Sequence, residues 1–130
     1  MIIPFYDEHL TTLLRTVHSV INRSPPSLLK EIILVNDAST KDSLYGQLEA
    51  HIEQQPWKKK IRIYNMRERS GLLWSRLAGA RFASGDVLLF LDCHVEVGYN
   101  FLPPLLEPIV YNYRAVVTPT LDIVDKKTCT

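Results

Sequence analysis

Glycine is scarce in this chain, and none of its five glycines forms a Gly-x-Gly-x-x-Gly turn or a Gly-Lys-Ser/Thr phosphate loop. A dinucleotide dehydrogenase or P-loop phosphotransferase needs glycine where backbone approaches a pyrophosphate, so both classes are disfavoured. Cysteine is scarcer still: Cys93 and Cys129 are too few to define a disulfide framework, and the redox compartment stays open. No apolar run approaches the ~20 residues of a membrane span, and no signal peptide precedes the first predicted strand. A net charge of +1 offers nothing for nucleic acid or acidic lipid. The one basic run, Lys58-Lys59-Lys60, has no interleaved aromatics and is expected to be a solvated turn ahead of a strand, so no nucleic-acid partner is expected. Also missing are a Ser-His-Asp set, paired catalytic carboxylates at defined spacing and a Cys-x-x-Cys. Asn22-Arg23-Ser24 fits a glycosylation triplet, but Pro25 follows it and it carries little weight.

What remains has the makeup of one folded domain over residues 1–130, with 46% hydrophobic and 22% charged residues. Strand and helix signals alternate strictly. Ile2-Ile3-Pro4-Phe5 is the end of a strand. Thr11 or Thr12 is a candidate cap for a helix with Leu13, Leu14, Val17, Val20 and Ile21 at helical spacing, stopped by Ser24-Pro25-Pro26-Ser27. A second strand, Glu31 to Val35, precedes a helical pattern from about Lys41 to Gln54. Ile61 to Tyr64 alternates as a third strand, and Gly71 opens a helix that Gly85 closes. Val87 to Leu91, five apolar residues in a row, predicts a fourth strand buried on both faces. A helix from Pro103 to about Tyr113 and a fifth strand, Ala115 to Thr118, complete the series. Alternation with short connections implies parallel strands, right-handed crossovers and a layered α/β sandwich. The polar stretch from Asp122 to Thr130 falls where a doubly wound sheet would continue, so the chain reads as the first half of a larger sheet.

The chemistry concentrates where the fourth strand meets Asp92-Cys93-His94. On an extended backbone Asp92 and His94 leave the same face, and a carboxylate beside an imidazole suits a divalent cation such as manganese. Cys93 alternates away from them and is expected to point inward as a small hydrophobe. Asp37, at the end of the second strand, is expected on the same sheet edge, where it can accept from a nucleotide; Asp37-Ala38-Ser39 equally fits a cap for the following helix. Arg69 and Arg76 flank the helix start at Gly71, a corner suited to an anion such as a diphosphate, while Arg67 is expected to pair with Glu68. Glu96 is read as a loop residue. His18 is expected to be packed or on the surface, and His9 and His51 show no partner in the sequence.

Several segments together resemble the polypeptide N-acetylgalactosaminyltransferase family. They are Ile3 to Glu8, Leu13 to Val20, Glu31 to Ser39, Arg69-Ser70-Gly71-Leu72 with Arg76, Phe90 to Glu96, Leu102 to Leu106, Val116-Val117 and Asp122 to Asp125. The resemblance implies the N-terminal half of a GT-A catalytic domain, with a Rossmann-like parallel sheet that is incomplete here. It implies manganese-dependent, retaining transfer of GalNAc from UDP-GalNAc to Ser or Thr of a protein acceptor, in the Golgi apparatus. By the same resemblance Asp92 and His94 hold the metal, and Asp37, Arg69, Arg76 and Asp92 contact the nucleotide sugar. Asn36, Tyr6-Asp7, Pro4, Trp74 and Thr118 depart from the usual family residues. A third metal ligand, the acceptor-binding elements and a lectin domain are expected beyond Thr130, and a membrane anchor before Met1. On that basis the isolated chain is expected to have little or no transferase activity.

Overall fold

The computed structural model describes residues 1–122. Its secondary structure alternates: β1 (Ile2–Phe5), α1 (Leu10–Arg23), β2 (Ile32–Asn36), α2 (Gly46–Glu53), β3 (Ile61–Asn65), α3 (Leu72–Phe82) and α4 (Leu102–Tyr111). Single 3-10 turns at Asp42–Leu44 and Lys58–Lys60 precede α2 and β3. Among the described residues, Met1–Tyr99 forms one compact unit and the residues from Asn100 onward a second. No helix among the described residues is long and apolar enough to cross a membrane.

The first unit is built on a parallel sheet ordered β1-β2-β3, with Ile3 opposite Leu34 and Leu34 opposite Ile63. Every residue of β1 and β2 is buried, as an apolar run covered on both faces requires. In β3 only Ile61 is fully buried, which fits an edge strand. On the free side of β1 the Ile2 N–H donates to the Leu89 carbonyl (2.9 Å), and the Leu91 N–H donates to the Ile2 carbonyl (3.0 Å). The segment 89–91 therefore takes the fourth place, beside β1 and opposite β2. Right-handed crossovers put α1 and α2 on one face and α3 on the other, since the connection through α3 runs back across the sheet.

Two expected strands do not form. Val87 to Leu91 makes one bridge, Phe90 opposite Ile2, and Val87, Leu88 and Phe90 are 38–45% exposed rather than buried. The cause is pairing on one edge only: β1 begins at Ile2, and among the described residues no strand pairs with the outer edge of 87–91. Ala115 to Thr118 is likewise not a strand, and Val116 is 94% exposed, because apolar β-formers need a neighbouring strand to satisfy their backbone. Smaller corrections concern helix ends. The first helix starts at Leu10 without a side-chain cap, neither Thr11 nor Thr12 serving. The pattern from Lys41 to Gln54 breaks at Tyr45. In the second unit α4 carries Pro103 and Pro104 in its first turn, where a missing N–H costs nothing. Residues 123–130, including Cys129 and the Ile123-Val124-Asp125 match, lie outside the described residues.

Three features hold the layers together. Gly79 of α3 lies so close to β1 that a Cβ there would overlap the Ile2 side chain and press on Val35. Glu31, with its side chain 11% exposed, accepts from Arg62 (3.0 Å), the Ser84 N–H (2.6 Å) and the Ser84 hydroxyl (2.9 Å), tying β2 to β3 and to the end of α3. On the other face His18 of α1 meets His51 of α2, their Nε2 atoms 3.0 Å apart, with the Trp57 ring edge-on to His18. His51 thus has a partner that sequence did not reveal. Burial and then the nearby His51 lower the His18 pKa.

Gly79→Ala should destabilise the fold by about 1–3 kcal/mol, the usual cost of overpacking, read as a lower urea midpoint at unchanged slope. Burial raises the Glu31 pKa, but the Ser84 and Arg62 hydrogen bonds outweigh it and hold the carboxyl below the ordinary 4.5. A carboxyl depressed on folding contributes fully above its unfolded pKa, and that contribution fades as pH falls through the folded value. Between pH 7 and pH 3.5, wild type should therefore lose more stability in urea titrations than Glu31→Gln does.

Candidate functional site

In a parallel sheet the loops leaving the carboxyl ends of the strands gather on one rim, and a crevice opens where neighbouring connections leave in opposite directions. Here that point lies between β1 and the 89–91 segment. A hollow of about 310 Å³ sits there, lined by Pro4, Phe5 and Tyr6 of β1 and its exit, by Asp37 after β2, and by Arg69 and Leu72 at the start of α3. Asp92, Cys93 and His94 close it. Asp37, Arg69, Asp92 and His94 thus share one concavity, while Arg76 reaches it through Asp92.

Asp37 is 4% exposed, and both its carboxylate oxygens are engaged. Oδ1 accepts from the Ser70 N–H and Oδ2 from the Gly71 N–H, each at 2.8 Å. It does not cap the helix that follows it; it fastens the turn that starts α3. Gly71 takes φ 86°, a conformation only glycine adopts without strain. Asn36 serves the same scaffold: its Oδ1 accepts the Ser39 N–H (2.9 Å) and its amide donates to Asn65 (3.0 Å). Neither Asn36 nor Trp74 lines the hollow, so these two departures from the family pattern leave its wall unchanged.

The loop after β1 is held as firmly. The Asp7 carboxylate accepts from the Thr40 N–H (2.6 Å), the Thr40 hydroxyl (2.9 Å) and the Lys41 N–H (3.3 Å), while the Asp7 N–H donates to Ser39 Oγ (3.0 Å). Desolvation pushes the Asp7 pKa up, yet these hydrogen bonds prevail and lower it. Asp7 and Ala38 both take left-handed backbone, φ 47° and 53°, at the exits of β1 and β2. Such strain is sustained only where neighbours over-determine the fold, and here it borders the hollow.

The fourth wall depends on α1. Thr16, Ser19 and Arg23 lie on one helical face. Thr16 donates to the Cys93 carbonyl (2.9 Å), Ser19 Oγ accepts the Val97 N–H (3.3 Å), and Arg23 donates to the Val97 carbonyl and pairs with Glu96 (2.9 Å). Glu96, read as a loop residue, is thereby part of the strap. Residues 93–94 turn instead of extending, and the two-residue alternation expected for Asp92 and His94 lapses. Each finds its own partner: Asp92 Oδ1 takes Arg76 (3.1 Å), and His94 Nδ1 lies 3.4 Å from Glu8 Oε2. Cys93 is buried, as expected, but the turn does not carry it away from His94: its Sγ is 3.7 Å from both Glu8 Oε2 and His94 Nδ1. Burial, then the Glu8 charge, pushes the thiol up to about 12, so it stays protonated at neutral pH. Glu8, Cys93 and His94 offer ligand atoms within 4.8 Å of one another. Sequence reasoning missed Glu8; its place just past β1, on the same rim as Asp37, was the available signal.

Arg69 stacks on Tyr6, its guanidinium carbon 3.9 Å from the ring centroid. Arg67 forms no ion pair with Glu68 among the described residues. A larger, more open concavity of about 490 Å³ lies along the outer side of α3, walled by Trp74, Leu77 and Tyr64. It has neither carboxylate nor imidazole, and the chemistry belongs to the smaller hollow.

Residues 1–128 match the family model for Glycosyl transferase family 2. The chain belongs to that family. Among individual proteins, this family 2 chain is 52% identical over 126 residues to N-acetylgalactosaminyltransferase 6 of Drosophila melanogaster, a match covering 96% of this chain and 18% of that protein. It is 50% identical over 127 residues to polypeptide N-acetylgalactosaminyltransferase 5 of Rattus norvegicus, covering 98% of this chain and 13% of that protein. The chain therefore spans less than a fifth of either relative's length. A crystal structure of GalNAc-T7 with UDP, GalNAc and Mn2+ superposes with a TM-score of 0.82 at 40% identity, over 85% of this chain and 20% of that one. Staphylococcus aureus TarS superposes at 0.69 with 20% identity, a likeness of fold alone.

Asp37→Ala should leave two amides without an acceptor, at a cost of about 3 kcal/mol, since hydrogen bonds to a charged group are the stronger kind. Hydrogen exchange should show it first at Ser70 and Gly71, with β3 amides little changed.

Proposed function

We propose that this chain forms the nucleotide-sugar-binding part of a polypeptide N-acetylgalactosaminyltransferase, a retaining enzyme that moves GalNAc from UDP-GalNAc to Ser or Thr of a protein acceptor. The observation that carries the reading is the meeting of Asp37, Arg69, Asp92 and His94 around one hollow at the switch point of the sheet. Relatives near 50% identity are named as N-acetylgalactosaminyltransferases, and a structure at 40% identity holds UDP, GalNAc and Mn2+. Transfer to protein, and the Golgi location the resemblance implies, are properties proposed for the whole protein.

Each side chain has a task that follows from its surroundings. Asp37 shapes the floor by fixing the Ser70–Gly71 turn, on the rim where the nucleoside would lie. Arg69, spread on Tyr6, presents a flat cation to the nucleotide. Arg76 reaches the Asp92 carboxylate from α3 and supplies positive charge where the diphosphate and donor sugar would lie. The carboxylate of Asp92 is the kind of donor manganese prefers, the imidazole of His94 would add one nitrogen beside it, and both face the hollow. One Asp92 oxygen is taken by Arg76 and the other retains acceptor capacity. The Cys93 thiol, soft and protonated, does not fit that cation. When bound, the metal would neutralise charge on the leaving diphosphate as a Lewis acid. Tyr6 and Leu72 add apolar surface to the hollow's lining.

The test is UDP binding by calorimetry, with manganese and with EDTA. Binding should be metal-dependent, Asp92→Ala should abolish the metal dependence, and Arg69→Ala should weaken affinity about tenfold (~1.4 kcal/mol). Equal UDP affinity in EDTA and manganese would remove the reading.

A further inference from the structure

On the face of the sheet away from α3, the two imidazoles that join α1 to α2 have no part in the nucleotide hollow. His18 Nε2 and His51 Nε2 are 3.0 Å apart, their rings edge-on at 75° with centroids 5.4 Å apart. The Gln55 side-chain amide, one turn after His51, lies 3.4 Å from the same His51 nitrogen. Both histidines, Gln55 and Trp57 are half-buried, so the site is sheltered yet open to water. Two nitrogens at about 2.0–2.1 Å from one cation are about 2.9 Å apart at a right angle and about 3.3 Å apart at the tetrahedral angle. The observed spacing falls between these values, and the donors come from two elements far apart in sequence.

We propose that His18 and His51, with the Gln55 carboxamide oxygen as a third donor, form a second metal site that takes a borderline divalent transition cation such as zinc and clamps α1 to α2. Each ring would carry its proton on Nδ1 and present the Nε2 lone pair to the ion. Gln55 would rotate its amide by a half-turn to bring its oxygen inward. Imidazole suits zinc, nickel and copper, whereas manganese prefers carboxylate and water, so the two sites differ in the metal they select. Trp57, edge-on to His18 at 5.1 Å, fixes that ring and shields one side. The clamp would stiffen the helical layer lying over β2, the strand that Asp37 directly follows. A ligand that binds only the folded chain raises its stability by mass action.

The experiment adds zinc chloride alone to the full chain and follows the histidine ring nitrogens by NMR, with melting temperature in parallel. The ring signals of His18 and His51 should move together and saturate at one equivalent, with the melting temperature rising. His18→Gln and His51→Gln should each weaken zinc binding at least tenfold, and Gln55→Ala less. His94→Gln should leave the shifts of His18 and His51 in place. Rings that do not respond in the wild-type chain, or zinc binding lost in His94→Gln and kept in His18→Gln, would overturn the site; the wild-type measurement needs no variant to fold. Because UDP binding is measured separately, failure here leaves the nucleotide reading standing.

Discussion

A single carboxylate, that of Asp37, joins the two halves of the site. It leaves the end of β2 and holds the amides of Ser70 and Gly71, the first step into α3 on the far face of the sheet. Through that contact the position of Arg69 depends on the sheet and not on a free loop. Arg76, one turn into α3, is placed by the same fastening, and through Arg76 so is Asp92. A charged acceptor with two N–H donors is among the stronger hydrogen-bonded arrangements available inside a protein. Buried at 4% exposure, it has little water to compete with it.

The opposite wall is governed by a helix face. Thr16, Ser19 and Arg23 of α1 hold residues 93–97, so the Asp92–His94 corner is fixed from the layer below. Close approach of α3 to β1 at Gly79 sets that helix on the sheet, and Gly71, Leu72 and Ser75 at its start line the hollow from the other face. The hollow is therefore bounded by elements from both faces of the sheet, with strained backbone at Asp7 and Ala38 where strands β1 and β2 exit. Rigid placement of this kind suits a site that must align a diphosphate and a metal before any bond changes. Membership of Glycosyl transferase family 2 agrees with that use of the rim.

The polar groups of the corner meet in twos. Asp92 pairs with Arg76 and Glu8 lies 3.4 Å from His94, while the Cys93 thiol stays neutral near both carboxylates. Asp92 accepts from Arg76 through one oxygen and keeps lone pairs on the other, and Glu8 lies against His94, as outer carboxylates do for metal-binding imidazoles. The lysine run ahead of β3 and the exposed face of α3 contribute nothing to this balance.

Sequence by itself determined the layer order and the rim. The apolar runs Ile2 to Phe5 and Ile32 to Val35 demand burial on both faces, and parallel crossovers then bring Asp37 and Asp92 to one edge. It could not determine whether Val87 to Leu91 pairs along its length, because a strand is made by its neighbours and only Ile2 reaches it. Nor could it show that the buried Cys93 meets Glu8 and His94, since a turn at 93–94 breaks the two-residue alternation. Glu8 beside His94, His51 against His18 and Asp37 beneath Gly71 are contacts between residues 33 to 86 positions apart. Local pattern carries no record of such distances; packing decided them, through which face each helix presents and how closely α3 can approach β1.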